Sequence, residues 1–185
     1  MTGTSIGHVK ILFHLEQDED GYPPASVETL WAFELGEGLY KIDNTPFFAT
    51  GIAVEDVISA EPEGGMLVYK EVVHPSGHST LRVVVYNHDE VPEVRGLFKQ
   101  LGCPTEQSHL RGLIAIDVPP SVSWNELKRV LDTGRAQDRW DYEEACLAHS
   151  DVAGRTPAST RDGRAPCHPA RAPPPTRGRK APPRS

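Results

Sequence analysis

Ser79-Thr-Leu-Arg-Val-Val-Val-Tyr86 and Gly112-Leu-Ile-Ala-Ile-Asp-Val118 are the two stretches that decide the fold of this chain. Each is a short apolar run bounded by turn residues, which predicts a strand buried on both faces. Between them, Asn87-His-Asp-Glu-Val-Pro92 opens a helix, with Asp89 or Glu90 able to cap and Pro92 suited to a first turn. Val91, Val94, Leu97, Phe98 and Leu101 recur at helical spacing, and Gly102-Cys103-Pro104 stops them. Thr105 to His109 reads as a short polar strand. Beyond the second apolar run, Ser123-Trp-Asn-Glu126 predicts a capping box, and Trp124, Leu127, Val130 and Leu131 form a buried stripe that Gly134 ends. Arg139 to Cys146 supplies a last strand with Trp140 and Tyr142 on one face.

The order is strand, helix, strand, strand, helix, strand, the ferredoxin-like βαββαβ pattern. Composition agrees: the first and third strands, central in that topology, are the apolar pair. The second and fourth are polar, as exposed edges need to be.

Upstream, the period is that of strands throughout. His8 to Leu15 carries Val9, Ile11, Phe13 and Leu15 on one face. Val27 to Leu35 alternates with Val27, Thr29, Trp31, Phe33 and Leu35 on one face, and Gly36-Glu-Gly38 turns it into Leu39-Tyr-Lys-Ile-Asp43. Val57 to Glu61 and Met66 to Val73 flank a second turn, Pro62-Glu-Gly-Gly65. Phe47 and Phe48, in the loop 44–51, are expected to plug one end of a small barrel. The fold class is therefore α+β: an N-terminal curled antiparallel sheet or partial β-barrel followed by a ferredoxin-like half. The domains fall at 1–75, 76–148 and a basic, Pro/Arg-rich tail at 149–185. That tail has no apolar periodicity and too little apolar surface to offset the entropy of ordering, so disorder is expected there.

Hydrophobic residues make up 38% of the 185, and the deficit is concentrated in the tail. Residues 151–185 hold eight of the 17 prolines and eight Lys/Arg against two Asp, so they carry +6. With −7 on the whole chain, residues 1–150 carry −13. Such a body repels nucleic acid and anionic membrane and attracts basic proteins. RNA recognition would also want a pair of exposed aromatics on the central strands, where only Tyr86 and Arg82 stand. No apolar run is long enough to span a bilayer, and the first residues lack a signal-peptide pattern. Cys103, Cys146 and Cys167 are scattered and odd in number, which points to a reducing compartment, the cytoplasm, and not to a disulfide framework.

Chemistry-bearing residues are few. Glu16, Asp18, Asp20 and Gly21 mimic the opening of a calcium loop, but the closing carboxylate would fall at Val27, which cannot ligate. Glu16, Asp18, Glu19 and Asp20 read as a solvated acidic turn suited to a basic protein partner. His74-Pro-Ser-Gly-His78 places two imidazoles and Ser76 together, yet Pro75 and Gly77 exclude the helical face that would make the histidines chelate. No metal or other cofactor is expected. Two functions follow. One is a non-enzymatic binding or regulatory protein with an acidic recognition surface, for example an immunity-type inhibitor. The other is a small hydrolase or isomerase at the junction of the two halves, using His74, Ser76 or His78 with a carboxylate from the acidic turn.

Glu16-Gln-Asp-Glu-Asp-Gly-Tyr-Pro-Pro24, Tyr40-Lys-Ile-Asp-Asn44, Pro46-Phe47-Phe48, Ser59-Ala-Glu61, Ser76-Gly-His-Ser-Thr-Leu-Arg-Val83 and Trp140-Asp-Tyr-Glu-Glu-Ala-Cys146 together resemble a bacterial family of small acidic proteins known only as a domain of unknown function. The resemblance spans residues 8–147 and omits the tail. It implies a bacterial source and a cytosolic location and brings no mechanism.

Overall fold

The computed structural model describes residues 7–149; the tail beyond His149, and the disorder expected of it, lie outside them. β1 (His8–His14), β2 (Val27–Gly36), β3 (Leu39–Ile42), β4 (Val57–Glu63) and β5 (Met66–His74) are successive antiparallel neighbours. β5 returns beside β1 as a parallel neighbour, Ile11 opposite Leu67 and Leu12 opposite Val68, and the sheet closes into a barrel. Closure leaves the five strands no open edge. Two hairpins turn through two residues each: Glu37 and Gly38 at φ 55° and 75°, and Gly64 and Gly65 at φ 59° and 83°. Positive φ at both positions is the turn whose twist matches the flanking strands.

The alternation in β2 separates two faces, and the buried one is the less conspicuous. Leu30 and Ala32 lie inside, opposite Ile11 and Val9 of β1, whereas Trp31 is 42% exposed on the outside with Val27 and Leu35. The outer aromatics are partly covered by β1. The His8 ring stacks on Trp31 and Phe33 at 4.6 and 4.9 Å, and Lys10 Nζ lies 4.9 Å from the Trp31 ring. The barrel core takes Ala49 and Ile52 from the long loop after β3, while Phe47 and Phe48, expected to be the plugs, are half-buried.

β6 (Ser79–Val85), α1 (Val91–Gln100), β7 (Thr105–Gln107), β8 (Leu113–Val118), α2 (Trp124–Ala136) and β9 (Trp140–Cys146) build a four-stranded antiparallel sheet ordered β7-β8-β6-β9. The two apolar strands are thus the central pair. Leu81, Val83, Ile114 and Ile116 form one core with Phe98 of α1 and Leu127 of α2, so both helices cover the same face.

Three local expectations are corrected. Glu90 sits at the N-cap of α1 in helical conformation, and its carboxylate turns to Asn87 and Arg139 instead of capping. The carboxamide of Asn87 caps the preceding single 3-10 turn, accepting from the Asp89 amide at 3.2 Å. Ser123 begins α2 through its carbonyl, which accepts from the Leu127 amide at 3.1 Å, and its hydroxyl makes no capping bond. Gly134 does not end α2. It lies within the helix because the Trp140 ring rests on it: a Cβ there would come within 1.8 Å of Trp140 Cζ2.

That contact predicts a reversal of helix propensity. Alanine is favoured over glycine inside a helix by about 1 kcal/mol, yet Gly134→Ala should destabilise by about 1–3 kcal/mol through overpacking. Ile114, fully buried in β8, should lose on the order of 2–5 kcal/mol as Ile114→Ala. Urea denaturation reads both, and a Gly134→Ala protein as stable as its parent contradicts the packing described.

Candidate functional site

The sheet has a second face, and strand alternation decides what stands on it. Opposite the helix-facing residues are Thr80, Arg82 and Val84 of β6, Asp117 of β8, Glu106 of β7, and Asp141 and Glu143 of β9. Among the described residues no helix covers this side. The loop 44–56 from the barrel does, and the contact is polar. The Thr45 amide donates to Glu106 at 2.6 Å and Arg82 Nη2 donates to the Ala49 carbonyl at 2.6 Å. The Thr80 hydroxyl donates to the Ile52 carbonyl at 2.9 Å, and the Gly51 amide donates to Ala145 at 3.0 Å. On its barrel side the two ends of the loop bond to Trp31 and Ile42, and one residue holds its middle. The Glu28 carboxylate, in phase with buried Leu30 and Ala32, accepts from the amides of Phe47, Phe48 and Ala49 at 2.7, 2.9 and 2.7 Å.

Arg82 is the centre of this seam. It is 3% exposed; Nη1 lies 3.3 Å from Glu143 Oε2, and Nε–H has no acceptor among the described residues. Beside it opens a cleft of about 120 Å³ lined by Tyr22, Val84, Leu113, Asp141, Tyr142 and Glu143. Tyr22 reaches in from the acidic turn and meets Phe48 edge-on at 6.4 Å. Burial, and then the Glu143 carboxylate, push its phenol pKa up against the opposing pull of Arg82, so it keeps its proton and can donate.

The grouping His74, Ser76 and His78 is not assembled as one site. His74 is exposed at the end of β5, paired with Val57 in the ladder, and its side chain makes no hydrogen bond among the described residues. The Ser76 hydroxyl accepts from the His78 amide at 3.1 Å. The His78 ring does find an acid, but from β8 and not from the acidic turn: Nδ1 donates to Asp117 at 2.8 Å, with only 13% and 8% of the two side chains exposed. The signal was present in the sequence as a lone charge within an apolar strand. Burial raises the Asp117 carboxyl above its ordinary range, with the His78 bond opposing.

Nearby, the buried Ser79 hydroxyl accepts from the amides of Ala148 and His149 at 2.8 and 3.2 Å and lies 2.7 Å from His149 Nδ1. His149 Nε2 donates to the Pro119 carbonyl at 3.1 Å, and the ring stacks on Trp124. This serine anchors residues 147–149. Cys103 is fully buried and its thiol is pushed up to about 11, chiefly by burial, which keeps it from being a thiolate near neutral pH.

The acidic turn is shaped from within. Asp18 Oδ1 accepts from the amides of Asp20 and Tyr22 at 3.0 and 2.8 Å, and the Gln17 carboxamide donates to the Pro23 carbonyl at 2.8 Å. Glu16, Glu19 and Asp20 point to solvent and make no ion pair among the described residues. No three potential metal ligands converge among the described residues.

The histidines are therefore not equivalent. His74→Ala should change stability by less than about 0.5 kcal/mol. His78→Ala leaves a buried carboxylate without its donor and should cost about 1–3 kcal/mol. A carboxyl whose proton is held more tightly in the folded state contributes most below its ordinary value of 3.8 and loses that contribution as pH rises through the raised value. Asp117→Asn keeps an acceptor for His78 and removes this dependence. Relative to its parent it should gain stability as pH rises from 3.8, measured by denaturation across pH; a parallel pH profile for the two proteins refutes the assignment.

Among the described residues no helix is long and apolar enough to cross a membrane. No curated protein matches the chain. A crystal structure described as a hypothetical protein from Neisseria gonorrhoeae superposes with a TM-score of 0.67 at 22% identity, covering 78% of this chain and 98% of that one. At that identity the likeness carries the fold alone. A family model matches residues 28–142, a narrower span than the quoted motifs, which leaves out both the acidic turn and the tail. The match covers more than half of the 185 residues, and the chain belongs to the family described as Domain of unknown function (DUF4265).

Proposed function

We propose that this chain is a non-enzymatic binding or regulatory protein of the bacterial cytoplasm that engages a basic protein partner through its acidic surface, as an immunity-type inhibitor would. The observation that carries the reading is the turn 16–20. Its backbone is fixed by Asp18 and Gln17, while Glu16, Glu19 and Asp20 are exposed and meet no cation among the described residues. A preformed array of unpaired carboxylates loses little entropy on binding, and the −13 carried by residues 1–150 steers a cationic partner toward it. The scaffold beneath has the strand order, strand directions and one-sided helix pair of a ferredoxin-like unit, which we propose for residues 79–146.

A second reading, a small hydrolase or isomerase at the junction of the two halves, is favoured by the His78–Asp117 hydrogen bond at 2.8 Å. It predicts a turnover that His78→Gln abolishes while the fold persists.

The binding reading is tested with an octa-arginine peptide as probe and the full chain as receptor. Glu16→Gln, Glu19→Gln and Asp20→Asn together should weaken binding roughly tenfold more than the charge-matched set Glu61→Gln, Glu63→Gln and Glu71→Gln. Affinity should fall as salt rises. Equal losses for the two sets would mean that net charge alone attracts the peptide, and the turn is then not a recognition element.

A further inference from the structure

Arg82 presents a problem that its own neighbours leave unsolved. A guanidinium 97% removed from solvent keeps one N–H without an acceptor. An unmade hydrogen bond of a buried charged group is expensive, and native structures hold few of them. Arg82 is one of the residues that line a cleft, and its Nε has almost no area open to water there. A second polar group stands in that wall: Glu143 sets Oε2 3.3 Å from Arg82, a long contact, and no bond to its Oε1 occurs among the described residues.

The charges of the lining select the class of occupant. Asp141 is engaged by Arg135 at 2.5 Å, and Arg82 and Glu143 offset one another, so the floor is dipolar and close to neutral. An anion would meet two carboxylates, and a cation would meet a buried guanidinium; each loses Coulomb energy in a poorly solvated site. A group with an acceptor and a donor side by side satisfies both residues at once, its carbonyl taking the Arg82 Nε–H and its N–H going to Glu143. Tyr22, Val84, Leu113 and Tyr142 line the rest of the cleft with apolar and aromatic surface. A cleft of about 120 Å³ holds roughly eight to twelve water-sized atoms, which suits one small ring with one substituent.

We propose that this cleft, between Tyr22 and the strands β6 and β9, is a binding site for a small neutral molecule that presents a planar amide on an apolar body. The lining of the site includes none of Glu16, Glu19 or Asp20, the carboxylates offered to a protein partner, and shares with the acidic turn only Tyr22.

The test is a titration of the full chain with benzamide, benzoate and benzylamine, three rings of one size that differ in the charge of the substituent. The readout is the Arg82 Nε–H resonance in proton–nitrogen spectra, assigned by its absence in Arg82→Lys. Benzamide should move that resonance and bind roughly tenfold or more tightly than either charged analogue. Arg82→Lys can disturb the seam, so a second variant is placed at the rim: Val84 is 46% exposed, and Val84→Trp fills the mouth of the cleft from a position outside the packed core. It should abolish benzamide binding with the melting temperature kept. Absence of binding, comparable binding of all three rings, an unmoved Nε–H, or benzamide binding that survives Val84→Trp would each overturn the proposal.

Discussion

A buried guanidinium in the central strand is the constraint on which the joining of the two halves depends. Arg82 cannot shed its charge, and a charge removed from water must be given partners. β6 and its sheet neighbour β9 supply one of them, Glu143. The other, the Ala49 carbonyl, has to come from the barrel. The loop that delivers it exposes its amides on the far side, and Glu28 receives three of these in succession. The peptides of residues 47–49 thus lie between a carboxylate at their N–H ends and a guanidinium at a C=O end. Opposite charges at the two ends of aligned peptide dipoles hold the segment in place without an apolar core of its own.

This arrangement sets one group of the protein's carboxylates apart from the rest. Glu28, Asp56, Glu106, Asp117 and Glu143 all lie at the seam and accept from loop amides, His78 or Arg82. They are structural acceptors, and their charge is already answered locally. The acidity open to other molecules includes that of the turns and hairpins, where Glu16, Glu19 and Asp20 have no ion-pair partner among the described residues and Glu61 and Glu63 share the exposed Lys70 at 3.6 Å. The net charge of the body therefore overstates what a partner meets at the seam and understates the contrast at the turn.

Periodicity made the elements legible. The helices of the second half and the central position of its two apolar strands followed from spacing and polarity, because both are short-range properties of the chain. What failed depended on partners distant in sequence. Val27 to Leu35 announced two faces, but only pairing with Val9 and Ile11 decides that Leu30 and Ala32 go inside. Gly134 looked like a helix stop because the reason for glycine is Trp140, which arrives from the next strand. The carboxylate for His78 was expected from the acidic turn because Asp117, the one it meets, lies 39 residues away in sequence. Asp117 and Glu28 shared one visible signal, a charge in phase with buried apolar residues, and Arg82 showed another, a lone charge within an apolar run.

The acidic turn and the cleft are joined by a short covalent path. Asp18 accepts from the Tyr22 amide and donates its own amide to the Tyr22 carbonyl at 2.7 Å, so the position of Tyr22 over Arg82 is set by the carboxylate that shapes the turn. The loop 44–56 covers the sheet only as far as Arg82, and beyond it Val84 and Tyr86 are left 46% and 45% exposed. Tyr22 is the barrel residue that reaches over this uncovered part to line the cleft. The edge strand β9 is meanwhile shielded from pairing with another chain, because Arg135 donates to the Tyr142 carbonyl at 2.6 Å and Asp141 accepts from the Tyr142 amide at 2.8 Å. With the barrel closed and this edge blunted, contact through side chains is favoured over strand addition. The side chains so presented are the carboxylates of the turn and the aromatic and apolar wall that Tyr22 completes.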